Sequence, residues 1–177
     1  MDQTKIISAT IKGDKNAQRH LYEQYKVAMF SICLRYARDR SEAEDILQEG
    51  FIKIFRDLKQ FDGRGSLGGW MRRVMVNAAL QYLRKWKREF LHVNVEDNSA
   101  HLEAPAVVYS KLGAEELTRL IQRLPLGYRT IFNLYVIEGY PHKEIAEKLG
   151  ISENTSKTQL RKAKASLRTM LEKQILT

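Results

Sequence analysis

Lys157, Arg161, Lys164 and Arg168 are spaced 4, 3 and 4 residues apart, the interval at which side chains share one face of a helix. Positive charge repeated along one face attracts polyanions. Leu160, Ala163, Leu167 and Leu171 recur on the opposite side, so the stripe points away from a core. Asn154 and Thr158, near the start of the same segment, could reach base edges, and Arg161 could pair with a guanine. Lys164 and Arg168 suit phosphates. A basic stripe can equally be solvated surface, but the preceding residues favour a nucleic-acid role. Glu144-Ile145-Ala146-Glu147-Lys148-Leu149-Gly150-Ile151-Ser152 brings two helices together at a short glycine turn. Small Ala146 allows a close crossing, and Ile145, Leu149, Ile151 and Leu160 supply a shared core. That is a helix-turn-helix arrangement, against which the alternative is an ordinary helical hairpin.

Two further constellations lie in the first half. Arg73, Asn77, Gln81, Arg84 and Arg88 fall on one face, flanked by Arg72, Lys85 and Lys87 and interleaved with Tyr82 and Trp86. Cations, amides and aromatics together suit unpaired bases, which stack and offer their edges. The alternative is a surface helix with core-facing aromatics, and Trp70 is read as a core anchor. Asp45, Gln48, Glu49 and Ile52 share another face, opposite Phe51, Ile54 and Phe55. An acidic face with an exposed isoleucine suits a basic helical protein partner, although from physics alone a merely solvated acidic face is the simpler reading.

The elements that must position these residues are helical. Apolar residues recur at helical spacing, and sustained alternation is hard to find, so the chain is expected to be all-α. A first helix is expected over about 14–40, on Leu21, Tyr25, Ala28, Ile32, Leu34 and Tyr36. The next begins near Ser41 as N-cap, with Leu47, Phe51, Ile54, Phe55 and Leu58 on its apolar face. From Gln60 to Gly69 the four glycines predict a loop, with helix resuming from about Trp70 to Arg88. Residues 91–112 change composition and read as a linker between domains spanning 1–90 and 113–177.

In the second domain Leu117, Leu120, Ile121 and Leu124 form one helix face, ended by Pro125. Tyr128, Ile131, Phe132 and Tyr135 form the next, ended near Gly139. Pro141 opens a helix from His142 to Leu149, Gly150 stops it, and Ser152 caps a last helix from Glu153 to about Leu171. At 1.5 Å per residue that helix is roughly 28 Å long, enough to lie across a major groove.

Composition bounds the function classes. The 177 residues carry a net charge of +9, which favours nucleic acid as partner over an anionic membrane surface. Cys33 is the single cysteine, which excludes an intramolecular disulfide and a cysteine-rich metal site, and it reads as a buried structural thiol. No apolar run reaches the roughly 18–20 residues of a membrane span, and Met1 to Gly13 lacks a signal peptide's apolar region, so a cytoplasmic protein is expected. His20, His92, His101 and His142 lack metal-ligand spacing, Gly63 to Gly69 lacks the ending of a phosphate-binding loop, and no nucleophile–base pair stands out. No cofactor and no catalysis are expected.

The three constellations, in this order, resemble an extracytoplasmic-function (ECF) sigma factor of the sigma-70 family, over roughly residues 15–90 and 113–172. "AEDILQEGFIKIF" resembles the clamp-binding helix, "WMRRVMVNAALQYLRKWKR" the helix that reads and opens the −10 element, and "LPLGYRTIFNLYVIEGYPHKEIAEKLGISENTSKTQLRKAKASL" the module that reads the −35 element. The resemblance implies a region 2 domain at 1–90 and a region 4 domain at 113–177, with a linker that threads along the polymerase. It implies that Asp45, Gln48, Glu49 and Ile52 bind the clamp helices of the largest polymerase subunit, which replaces the solvated-face reading. Arg73, Asn77, Gln81, Arg84 and Arg88 would then face −10 DNA during strand opening, and Asn154, Lys157, Thr158, Arg161, Lys164 and Arg168 would face the −35 groove. An anti-sigma factor or another recruiting protein is a further implied partner. One departure stands out: the loop ends Ser66-Leu67-Gly68-Gly69-Trp70, where the family usually has polar and aromatic residues that capture a flipped base. Two adjacent glycines remove such side chains and loosen the loop, which implies broader −10 discrimination. The competing readings are a regulator that uses only the C-terminal helix-turn-helix, and an enzyme; the first leaves the N-terminal faces unexplained.

Overall fold

A computed structural model describes residues 3–86 and 113–175; all regular structure among them is helical. The linker 91–112, His92, His101, Lys87, Arg88 and the side chain of Trp86 lie outside the described residues. The chain divides into two compact units, Met1–Trp86 and Lys87–Thr177.

The first unit opens with a helix that apolar periodicity does not announce. α1 (Gln3–Ile11) buries Ile6 and packs on the next two helices. The chain turns at Gly13, whose φ of 86° is left-handed, and Asp14 caps α2 (Lys15–Tyr36) by accepting from the amides of Asn16 and Ala17. α2 stops at Tyr36, short of 40, because Asp39 claims the next helix start. α3 (Arg40–Asp57) is capped by Asp39, not Ser41: the Asp39 carboxylate accepts from the Glu42 amide at 2.9 Å. Both residues are good caps; Asp39 lies three residues before the amide that needs an acceptor.

A 3-10 turn (Leu58–Gln60) and a short loop lead to α4 (Leu67–Trp86). The glycine-rich stretch is therefore not all loop. Gly63 and Gly65, with φ of 78° and 77°, make the turn, whereas Gly68 and Gly69 form the first turn of α4. Ser66 caps that turn, its Oγ accepting from the Gly69 amide at 3.1 Å, and Leu67 anchors it in the core. A side chain at Gly68 would press on the Tyr25 ring, its Cβ 3.2 Å from Cε1. The expected loosening of the loop at Gly68-Gly69 is overturned: both glycines are helical, and the Ser66 cap bond holds the turn. Trp70, expected as a core anchor, is only half-buried, its ring tilted against Phe61 at 6.0 Å.

α2, α3 and α4 pack around Leu21, Met29, Ile32, Cys33, Tyr36, Ile46, Phe51, Ile54, Met71, Met75, Ala79 and Leu83. Ala28, expected on the core face of α2, is exposed. At Gly50 α3 admits a side chain of α4, since the Met75 thioether fills the space a Cβ there would need.

In the second unit α5 (Ala114–Gln122) buries Leu120 and Ile121, and α6 (Leu126–Phe132) buries Ile131 and Phe132. A π turn follows at Asn133–Ile137. Its wider winding carries Asn133 and Leu134 into the core and swings Tyr135, expected on the apolar face, outward. Arg129 is 2% exposed and donates from Nη1 to the Gln122 carbonyl at 2.8 Å. α7 (His142–Leu149) and α8 (Glu153–Ile175) complete the unit, and α5, α6 and α7 all pack against α8.

Two glycines give the packing a test. Gly50→Val should destabilise the protein by about 1–3 kcal/mol, because the added side chain must displace the fully buried Met75 thioether. Gly150→Ala, at a φ of 69°, should cost about 1 kcal/mol. Urea denaturation of each variant measures both.

Candidate functional site

α7 and α8 meet at a turn built for one angle. Gly150 ends α7 in the left-handed conformation, φ 69° and ψ 35°, its amide donating to the Ala146 carbonyl at 2.8 Å. The Ile151 amide donates to the same carbonyl at 3.1 Å. Two residues after Gly150, the Ser152 hydroxyl accepts from the Thr155 amide at 3.0 Å and starts α8. Ile145, Ala146, Leu149 and Leu160 are buried between the two helices, and Ile151 is partly covered. The expected helix-turn-helix is thus present as a packed object.

Burial fixes the rotation of α8 about its own axis. Leu160, Ala163, Leu167 and Leu171 are buried, which leaves Asn154, Lys157 and Arg161 exposed. Thr158, Lys164 and Arg168 lie at the margin, half-covered. Lys157 has only a loose ion pair, 3.9 Å from Glu153, so its charge stays available.

A fastening missed at the sequence level holds α8 to the start of α7. Ser156 is fully buried, and its hydroxyl lies 2.8 Å from His142 Nδ1. The imidazole stacks on Tyr135 at 4.4 Å. The π turn that swings Tyr135 out thus supplies the ring on which His142 rests. Burial lowers the His142 pKa below 6.5, helped by the cationic Lys157 and Lys164 and opposed by Glu153.

On α4, Arg73, Asn77, Gln81 and Arg84 are all exposed on one face. Gln81 is not idle there: its Oε1 accepts from Lys53 of α3 at 2.6 Å. Arg88, the last expected member, is outside the described residues. Tyr82 departs from expectation. It is half-buried against α3 and its hydroxyl donates to Asp45 Oδ2 at 3.1 Å, instead of standing among the cations.

On α3, Asp45 and Gln48 are exposed, Glu49 is half-buried, and Ile52 is 63% exposed. Cys33 is buried, and desolvation pushes its thiol up to about 12, which suits packing and not reaction. Among the described residues no cluster of three or more His, Cys, Asp or Glu is placed to hold a metal. None of the helices described is long and apolar enough to cross a membrane.

Residues 21–89 match the family model for sigma-70 region 2, and residues 114–167 match that for sigma-70 region 4. The chain is 30% identical to the ECF RNA polymerase sigma factor SigW of Bacillus subtilis, over 94% of this chain and 95% of that one. It is 28% identical to the ECF RNA polymerase sigma-E factor of Haemophilus influenzae, over 96% and 93%. Among solved structures, a sigma factor RpoE from Bartonella quintana, crystallised with the anti-sigma factor NepR, shares the fold. The TM-score is 0.52 at 19% identity, covering 87% of this chain and 96% of that one.

The His142 fastening has a pH signature. A histidine whose folded pKa lies below its unfolded value stabilises the fold above pH 6.5, and that contribution is lost as pH falls through the folded pKa. NMR titration of the full chain should place the His142 midpoint below 6.5; a midpoint at or above 6.5 contradicts the fastening as described.

Proposed function

Because the chain belongs to the sigma-70 family of RNA polymerase sigma factors, in the ECF group, and so acts in transcription initiation, we propose how its faces divide that work. Residues 1–90 act as region 2, residues 91–112 as a tether, and residues 113–177 as region 4. Asp45, Gln48, Glu49 and Ile52 dock on the clamp helices of the largest subunit of core polymerase. Arg73, Asn77, Gln81, Arg84 and Arg88 contact the −10 element and help hold its opened strand. Asn154, Lys157, Thr158, Arg161, Lys164 and Arg168 meet the −35 element in the major groove.

The observation that carries this reading is the segregation of two unlike faces on neighbouring helices. α3 shows an acidic row around an open Ile52, while α4 shows arginines and amides. A regulator that worked through α8 alone would need neither. Strand opening follows from capture: an unpaired base gains stacking and edge contacts that the duplex denies it, at a cost of a few kcal/mol for unstacking. Sigma factors are regulatory subunits without catalytic activity, and capture consumes no nucleotide.

The Gly68-Gly69 pair still bears on specificity. Helical though it is, it presents no side chain to a flipped base, and we extend to this chain a broader −10 preference. We also extend to it a regulatory partner of the anti-sigma or recruiting class, as in the complex of the similarly folded sigma factor. The cytoplasm, where polymerase works, is the proposed location.

Three variants test the division of labour. Asp45→Ala combined with Glu49→Ala should abolish or strongly weaken pull-down of core polymerase while leaving −35 duplex binding intact. Arg161→Ala should lose about 1–3 kcal/mol at a matched −35 site and discriminate less at one position. Lys164→Ala should weaken binding evenly across sequences and lower the salt slope by about one. Band shifts at several salt concentrations separate the last two.

A further inference from the structure

Of the five carboxylates on α3, three are held by backbone or by nearby cations. Glu42 is buried and accepts from the Arg38 amide, and Glu44 accepts from the Arg40 guanidinium at 2.9 Å. Asp57 is held by both arms of Arg56 at 2.7 Å. These three are engaged by backbone or by cations of their own segment. Asp45 is different. It is exposed, and the bond to its Oδ2 comes from a neutral phenol, Tyr82, reaching across from α4.

The difference has a physical consequence. A guanidinium beside a carboxylate cancels its charge and must be displaced before another cation can bind. A phenol orients the carboxylate, leaves its charge whole and leaves the second oxygen open. The donor is also permanent. Desolvation, then the bond to Asp45, then the charges of Asp45, Glu42 and Glu49 push the Tyr82 phenol up to about 12. Tyr82 is half-buried in the α3–α4 packing, so its ring has little freedom to turn away.

We propose that Tyr82 is a positioning residue of the polymerase-binding face, holding Asp45 in the orientation that a cationic side chain of the core enzyme meets. The inference rests on the reading of Asp45, Gln48, Glu49 and Ile52 as that interface. It means that the helix carrying the −10 face also completes its neighbour's face. Preorganisation of this kind acts by sparing the cost of ordering an exposed side chain on binding. Tyr82 therefore works through Asp45 and touches no DNA.

The test is a double-mutant cycle on the full chain with core polymerase, read as the dissociation constant by fluorescence anisotropy. Tyr82→Phe keeps the ring and removes the donor. It should weaken core binding about threefold to tenfold, leave −35 duplex binding unchanged and leave the melting temperature within a few degrees of the parent. In an Asp45→Ala background the same substitution should have no further effect, because the group it serves is gone. Unchanged core affinity for Tyr82→Phe overturns the proposal, and so does an equal loss in both backgrounds, which would mark a structural role. The parent reading fails separately: if Asp45→Ala and Glu49→Ala each leave core affinity intact, the acidic face is not the interface and Tyr82 has nothing to position. If those variants weaken binding and Tyr82→Phe does not, the interface stands and this inference alone falls.

Discussion

The rotation of each helix about its own axis is the constraint on which the remainder depends. A helix that commits one face to a core has no further choice about what it shows to solvent. On α8 the buried row Leu160, Ala163, Leu167 and Leu171 fixes the direction of Asn154, Lys157 and Arg161. On α3 the burial of Ala43, Ile46, Gly50, Phe51 and Ile54 leaves Asp45, Gln48 and Ile52 outside. Charge alone would not place these groups, since surface ion pairs are worth little and exposed side chains wander. Apolar burial does, at about 25 cal/mol per Å², and the functional faces are its complement.

The packing of α3 on α4 adds a second layer to this logic. Gly50 lets the helices approach until Met75 fills the gap. At that distance polar side chains at the edge of the contact can cross it, as Tyr82 does to Asp45 and Lys53 to Gln81. An acidic helix and a basic helix therefore lie side by side without merging into one neutralised surface. Each of these two bonds pairs a charged group with a neutral one, a phenol or an amide. The exposed acidic row of α3 and the exposed arginines of α4 thus remain on separate surfaces.

Much of the second unit was legible in the residues. Pro141, Gly150 and Ser152 are local signals, each acting within a few residues, and the structure places α7 and α8 as they direct. The exposed members of the three faces were legible for the same reason that amphipathic periodicity is. Other features escaped because their causes are not local. Nothing in 3.6-residue spacing foretells a π turn, so Tyr135 was placed on the wrong side, and with it the stack on His142 was lost. Ser41 and Asp39 are both capable caps, and the choice between them lies in backbone geometry. Gly68 and Gly69 read as a loop by composition, but the Ser66 cap and the Leu67 anchor outweigh the propensity cost of two glycines in a first turn. α1 is only nine residues long, too short for periodicity to mark it, and takes its stability from packing on α2 and α3. Tyr82 reads as interleaved with its cationic neighbours, and only the neighbouring helix shows that its hydroxyl reaches Asp45.

The central claim is that this chain gives core polymerase a sequence preference through two separate DNA-binding faces. In-vitro transcription on a fragmented genomic library, with start sites sequenced, tests it most directly. Core polymerase with the chain should start at positions preceded by one shared upstream pair of motifs at a fixed spacing. Start sites indistinguishable from those of core polymerase alone would contradict the account.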